Sequence, residues 1–369
     1  MVLDGVANTG RIYAVWQDES WTVDGADVRV SIVCATWGSE NAYLNGFQVP
    51  IIHADLTSGS VTIAGALPLE ANKGRSFVGV QKNGPFDVDG KIARTWLAMP
   101  VNPNGRPNSD VLKRSINGGG IAGRDPDRWL IDFGLRMSER DAALYEEPFK
   151  YVEKFVKPTR IELRRDWHRT NWWMHGDPRP AFRTAIQGLT RYVVTPMVSK
   201  HRLFVFVNTL VLPENKAVAF ARDDLTFFGI LQSRFHELWS LSLCSYIGVG
   251  NDPSYSPSRC FDTFAFPAGL EPNVSAASYA HEPRAQQISD AAGRLYNLRG
   301  NWLNPIGTVV CLPEVVPGYP GRVQPLSEEA AGALKKRTLT NLYNERPFMA
   351  GQRSKRLRPR SGGRLRMAH

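Results

Sequence analysis

His236 and Glu237 stand side by side in AFARDDLTFFGILQSRFHELW (219–239), the pair with which a zinc-hydrolase helix would begin. That chemistry needs a second histidine four residues after the first, so that two imidazoles meet one metal on one helix face. Position 240 is serine, so the pattern HELWS breaks the metal pair. A lone His-Glu on an otherwise apolar helix reads instead as a buried, hydrogen-bonded polar spot. Asp223 and Asp224 come just before the helix, where carboxylates complement its N-terminal dipole, and capping is the reading favoured over catalysis. Gly118-Gly119-Gly120 and GVGNDP (248–253) lack both the strand–GxGxxG–helix setting and a phosphate-loop lysine, and read as turns. There is no GxSxG, and the acid pairs Glu146-Glu147 and Glu328-Glu329 fall on expected helix faces without partners. The four cysteines (Cys34, Cys244, Cys260, Cys311) are scattered with no CxxC, which argues against zinc and for reduced thiols. No catalytic constellation emerges from these residues.

Charge is the stronger signal. The net charge is +10, and seven cations lie in the acid-free tail from Arg353 onward, so residues 1–352 carry +3. Residues 150–202 hold twelve Lys/Arg against four acids, interleaved with Trp, Phe and Tyr. A basic block on a near-neutral body suits a phosphate-facing groove, because cations contact phosphates and aromatics either stack on bases or build the platform. A basic helix face solvated on one side and packed by its tryptophans is the competing reading.

The elements that must position this block follow from periodicity. Residues 2–9 read as the end of a helix. RIYAVW (11–16) and VRVSIVCATW (28–37) read as strands around a polar turn at 24–27, and 38–75 as loop with short strands such as VPIIHADL. WLIDFG (129–134) reads as a strand. Ser138, with Asp141 three residues on, caps a helix expected over 139–157, with a basic continuation to about Trp173. YVVTPMV, RLFVFVN and KAVAFA read as strands, 227–244 as one helix, CFDTFAFP (260–267) as a short strand, and 284–303 and 327–343 as helices. The Arg/Gly/Ser-rich tail after Phe348 reads as disordered. Apolar residues make up 43% and charged residues 22%, an ordinary globular balance. No apolar run reaches the roughly 18 residues that cross a bilayer, and the N-terminus lacks a signal-peptide pattern, so no membrane partner and a cytoplasmic location are expected.

TFFGILQSRFHELWSLSL (226–243), followed by NDPSYSPSRCFDTFAFP (251–267), resembles the C-terminal half of MmeI-type DNA adenine-N6 methyltransferases of type II restriction–modification systems. WTVDGADVRVSIV (21–33), GRPNSDVLK (105–113), RWLIDFG (128–134), RYVVTPMVSKHRLFVF (191–206) and KKRTLTNLYNERP (335–347) match in the same order, so the resemblance spans nearly residues 1–347. It implies methyl transfer from S-adenosylmethionine to an adenine turned out of the duplex. It also implies an α+β chain: a Rossmann-like methyltransferase sheet, a mixed α/β target-recognition domain and a helical C-terminal segment. In this chain those parts would be the end of the catalytic domain at 1–70, recognition at 71–270, helices at 271–348 and a basic tail at 349–369.

The family's Asn-Pro-Pro-aromatic motif is missing: the sequence has no Pro-Pro pair, and its Asn-Pro sites read NPNG and NPIG. The glycine-rich cofactor loop is missing too, so this stretch is expected to bind no S-adenosylmethionine and to be inactive alone. No restriction-nuclease acid/Lys motif is visible. A truncated methyltransferase is the leading expectation. A stand-alone specificity subunit working with a separately encoded catalytic half, or an inactive truncated product, are the alternatives. The expected partner is double-stranded DNA. Its expected contacts are Arg164, Arg165 and Arg169 on phosphates, Arg191, and Lys200, His201 and Arg202 in a loop between strands, with Arg106 and Asn108 in the GRPNSD turn.

Overall fold

The structure is a computed structural model that describes residues 2–23, 26–54, 56–58, 65–247 and 252–345. The expected tail at 349–369, the first half of the turn at 24–27 and the GVGN of GVGNDP lie outside those residues.

The chain opens with helix Val2–Thr9 and strands Arg11–Val23 and Ala26–Thr36, which pair antiparallel from Arg11↔Thr36 to Val23↔Ala26. Ala42–Leu44 runs parallel to the first strand, and Phe47–Val49 folds back on it. VPIIHADL is therefore a strand only at its start; beyond it Ile52 makes a single bridge to Ile12. Strand alternation puts Val15, Val33 and Leu44 on one face, under Val6 and Ile52. Trp16, paired with Ile32, and Tyr43, paired with Ala14, share the other face and are exposed.

Two further four-stranded sheets carry the middle of the chain. One runs in the order Val205–Asn208, Arg191–Pro196, Ala217–Phe220, Ser76–Val78, antiparallel throughout. The other runs Val211–Pro213, Leu112–Ile116, Arg128–Ile131, Asp87–Asp89. Between Val205–Asn208 and Ala217–Phe220 of the first sheet, the chain crosses to add Val211–Pro213 to the second and then returns, so the two sheets are built from interleaved chain. The β-branched RYVVTP strand is buried on both faces after its first residue.

Helices expected as single pieces are divided. The 139–157 helix is Glu139–Ala143 and Glu146–Phe155, followed by Lys157–Ile161 and Asp166–Thr170. Pro148 has no N–H for the carbonyl of Leu144, and Tyr145 turns inward to donate its hydroxyl to Asp110 (3.0 Å). The 227–244 helix is Leu225–Leu231 and Arg234–Leu243, each with its own cap: Asp224 accepts from the Phe227 N–H (2.8 Å) and Ser233 from that of His236 (3.3 Å). Gln232, at the break, accepts from the Phe204 N–H (3.0 Å) and donates to the Arg202 carbonyl (3.1 Å). The last helix is likewise two, Glu328–Lys336 and Leu339–Asn344, with Thr338 capping the second.

CFDTFAFP is not a strand. Pro257–Phe261 is a wide helical turn, and Phe261, Phe264 and Phe266 enter the core as ring contacts without a ladder. Helix Pro283–Leu303 shares that core through Ala285 and Ala292. It crosses Leu225–Leu231 at Gly229, where a Cβ would stand 2.7 Å from Ile288 Cγ2. Between helix Pro283–Leu303 and the last helices lies a hairpin the sequence did not announce, Val309–Leu312 with Arg322–Pro325, joined by the proline-containing segment 313–321. Its loop ties back to the second middle sheet and its neighbour: the Tyr319 hydroxyl donates to the Leu112 carbonyl (2.7 Å), and Glu314 meets Arg94 on helix Gly90–Leu97 (2.8 Å).

Candidate nucleic-acid interface

His236 is fully buried, with Nε2 2.8 Å from the Tyr255 hydroxyl. Burial, then the nearby Arg202 charge, pull its pKa down to about 3, so the ring is neutral at pH 7. The polar-spot reading of HELWS therefore describes its surroundings. Asp224 caps as expected and also meets Arg222 (2.8 Å) and the Tyr279 hydroxyl (2.8 Å).

The His236–Tyr255 pair is the foundation of a two-stranded ribbon. Tyr246–Ile247 pairs antiparallel with Asp252–Pro253. The ribbon is locked at its base by Ser254 N–H to the Ser245 carbonyl (2.7 Å) and Tyr255 N–H to the Met197 carbonyl (2.6 Å). Val198 bridges to Ser254, so the 197–199 segment lies along the ribbon. Val198, Tyr246 and Ile247 are exposed. Next to them Lys200 Nζ (2.7 Å) and His201 Nε2 (2.9 Å) both meet Asn344 Oδ1. Arg202, one residue on, turns inward. It is 3% exposed, its guanidinium lies 5.3 Å from the Tyr255 ring centre, and its Nε and Nη2 have no hydrogen-bond partner. Leu203 and Phe204, both fully buried, draw it inside. The sequence reading missed the ribbon. Its signal was present in YIGVGNDP, two short segments around a glycine-containing connection, of which only the turn was recognised.

The basic block forms a different kind of surface. Trp172 and Trp173 are buried in the core with Phe133, Tyr145 and Val152, whereas Trp167 is 42% exposed. Most of the aromatic interleaving therefore builds the platform. Lys157 meets Glu153 (3.0 Å) and lies 4.5 Å over Trp172, and Arg169 is paired with Asp166. Arg160 is fully buried and donates to the carbonyls of Lys82 (2.5 Å) and Met174 (3.0 Å); burial brings its pKa down to about 10. Arg164 and Arg165 are exposed on the loop between Lys157–Ile161 and Asp166–Thr170. They line a cleft of about 640 Å³ with Gln81, Asn83, Gly84, Pro85, Thr159, Leu163 and His168. His168 is lowered by burial, then by the charge of Arg160.

The remaining candidates are spread out. Asn108 is buried, accepting from Asn102 (2.9 Å) and donating to the Trp96 carbonyl (3.0 Å). Arg106 is exposed and paired with Asp110. Arg191 donates to the Asp223 carbonyl (3.0 Å) and stacks 3.8 Å from the Phe206 ring centre. Sequence-predicted residues thus gather in two places: Arg164 and Arg165 at the cleft, and Lys200 and His201 beside the ribbon.

The family profile described as "MmeI, target recognition domain" matches residues 156–268, which contain Arg164, Arg165, Lys200, His201 and the ribbon, though not the Gln81–Pro85 side of the cleft. Those residues are an MmeI-like recognition region. Among solved structures, the type IIL restriction–modification enzyme MmeI in complex with DNA is similar, with a TM-score of 0.59 and 17% identity. The similarity covers 81% of this chain and 39% of that one, so the chain spans well under half the length of MmeI, and at this identity it concerns the fold. No curated protein matches the chain.

Proposed function

We propose that this chain supplies sequence-specific duplex-DNA recognition in a type II restriction–modification system whose methyltransferase activity transfers a methyl group from S-adenosylmethionine to adenine N6. The observation that carries the reading is the match of 156–268 to a target-recognition domain. The geometry supports it. A two-stranded ribbon is narrow enough for the major groove, where base edges carry the full sequence code. Tyr246, Ile247 and Val198 would offer contacts to bases, and Lys200 and His201, at the ribbon's side, would hold phosphate.

Recognition is assigned to 71–270 and support to 271–348. The sheet of residues 11–49 is assigned to the end of a methyltransferase domain, because its exposed Trp16, Ile32 and Tyr43 would be covered by the remainder of such a domain. That same face favours a second reading, a specificity subunit that docks on a separately encoded catalytic half.

The cofactor belongs elsewhere in either case. Of Gly118-Gly119-Gly120, added Cβ atoms at Gly118 and Gly120 would stand 3.2 Å from the Lys216 carbonyl and from Pro126 Cδ. Those glycines pack against protein and do not form a cradle for S-adenosylmethionine, and the sequence holds no Asn-Pro-Pro-aromatic motif. The chain alone is expected not to methylate.

Two measurements test the proposal. Selection from a randomised duplex pool should enrich one short motif, and enrichment of nothing above input would overturn the recognition reading. Incorporation of label from S-adenosylmethionine by the isolated chain would overturn the assignment of catalysis elsewhere.

A further inference from the structure

The cleft beside Arg164 and Arg165 has properties that a generally basic surface lacks. Across this block Lys157, Arg169, Arg179 and Arg183 each meet a carboxylate. Arg164 and Arg165 have no ion pair among the described residues, and no acid lines their cleft. Gln81, which bridges to Asp177, and Asn83 also line the cleft, and their side chains carry amide N–H donors. Asn83 Nδ2 stands 3.5 Å from His168 Nε2, so the amide and the ring, both lining the cleft, face one another. Behind Gly84, which also lines the cleft, lies Arg160, fully buried, with Nε and Nη1 unpartnered. A Cβ on Gly84 would be 2.9 Å from Val156 Cγ1 and 3.6 Å from Arg160 Nε. Cleft, buried guanidinium and unpaired arginines all favour an anion at one place.

The volume says which anion. About 640 Å³ is several times larger than a bare phosphate needs and falls within the range for small-ligand sites. Leu163, Pro85 and Gly84 give the cleft an apolar side that a sugar or base could rest on.

We propose that this cleft holds a phosphate-bearing nucleotide of the bound DNA strand, a second anchorage on the backbone separate from the ribbon. It deepens the recognition reading and rests on it. Because phosphate contacts position a protein without reading sequence, the cleft would set affinity and register, and the ribbon would set preference.

The test is the full chain with Arg164→Gln and Arg165→Gln together, alongside the Arg164→Lys, Arg165→Lys pair. Both positions are exposed, so an unchanged thermal melt should confirm folding. Affinity for a duplex is measured across a range of salt. The glutamine pair should flatten the slope of log K against log salt by roughly 2, since each phosphate contact contributes about 0.9. The loss should be equal on selected and unselected duplexes, and the lysine pair should retain the slope. An unchanged slope in the folded glutamine variant would overturn the cleft. A parent chain that binds no duplex would sink the recognition reading instead, which keeps the two failures apart. The free source of the same chemistry is tested with dAMP. Binding of dAMP to the parent that the glutamine pair abolishes, with duplex binding unaffected by saturating dAMP, would make this a free-nucleotide site and overturn the strand assignment.

Discussion

Two stretches of this chain use the same residue types and fold into opposite things. Around the cleft, Arg164 and Arg165 stand open to solvent while their neighbours are paired off or buried. At the base of the ribbon, Lys200 and His201 stay outside, but Arg202 is drawn into an aromatic core with Tyr255, Phe204 and His236. What separates them is the following sequence. Arg165 precedes the polar Asp166 of a short helix, whereas Arg202 precedes Leu203 and Phe204, both fully buried. A basic residue's place is set by what its apolar neighbours must do, because hydrophobic burial outweighs the preference of one side chain for water.

The largest consequence is in stability. Tyr255→Ala removes a ring packed against Phe204, Phe220 and His236, and the hydroxyl that satisfies His236. It should cost about 3–5 kcal/mol in urea denaturation, as truncation of a buried aromatic does. Arg164→Ala should stay within about 0.5 kcal/mol, as surface substitutions do. Comparable losses in the two variants would erase the distinction between core and open cleft.

Next in size is the response to acid. The folded pKa of His236, about 3, lies below its unfolded value of 6.5. As pH falls below 6.5 the unfolded chain takes up the proton first. Stability is therefore complete above pH 6.5 and is lost towards pH 3, at up to about 1.4 kcal/mol per pH unit. His168 is shifted in the same direction, but it borders an open cleft. His236→Gln should flatten the pH dependence of the denaturation midpoint more than His168→Gln does. Equal flattening would place both rings in the same surroundings.

Much of this architecture was legible in sequence, and the illegible parts share a cause. The strands Arg191–Pro196, Val205–Asn208 and Ala217–Phe220 followed from β-branched and aromatic runs. Ser138 and Asp224 were legible as caps because capping is local chemistry. The divided helices were not, because the breaks depend on partners far along the chain. Tyr145 reaches Asp110, and Gln232 serves Phe204, Arg202 and Arg299 at once. CFDTFAFP is rich in aromatics like a strand, yet its rings fill a core that helix Pro283–Leu303 completes, and it makes no ladder among the described residues. Asn108 looked like a turn residue that could reach DNA and is instead held between Asn102 and the Trp96 carbonyl.

Arg202 gives a smaller but signed test. A guanidinium with two unpartnered nitrogens is expensive to bury, and the groups around it are neutral: the charge on His236 is suppressed, and burial raises Tyr255 and Cys260. Arg202→Met keeps the stem's packing and removes the charge. It should leave the chain as stable or more stable, by roughly 1–3 kcal/mol in urea denaturation. A loss of stability would mean that the cation–π contact with Tyr255 outweighs the unmet hydrogen bonds.

The smallest effect is at Lys200, where the comparison comes to a point. Lys200 and His201 share one acceptor, Asn344 Oδ1, so a lysine with three donors has only part of its capacity used. An ammonium on a flexible stem is a point charge without the fixed fork that lets arginine read guanine bidentately. Beside the ribbon, then, Lys200 should hold phosphate, as proposed for the two arginines at the cleft. Lys200→Ala should weaken binding equally on every duplex and flatten the salt slope by about 0.9. If instead preference changes at a single base pair, with the slope unmoved, Lys200 reads a base edge. The ribbon and the cleft would then differ in what they read as well as in how they are built.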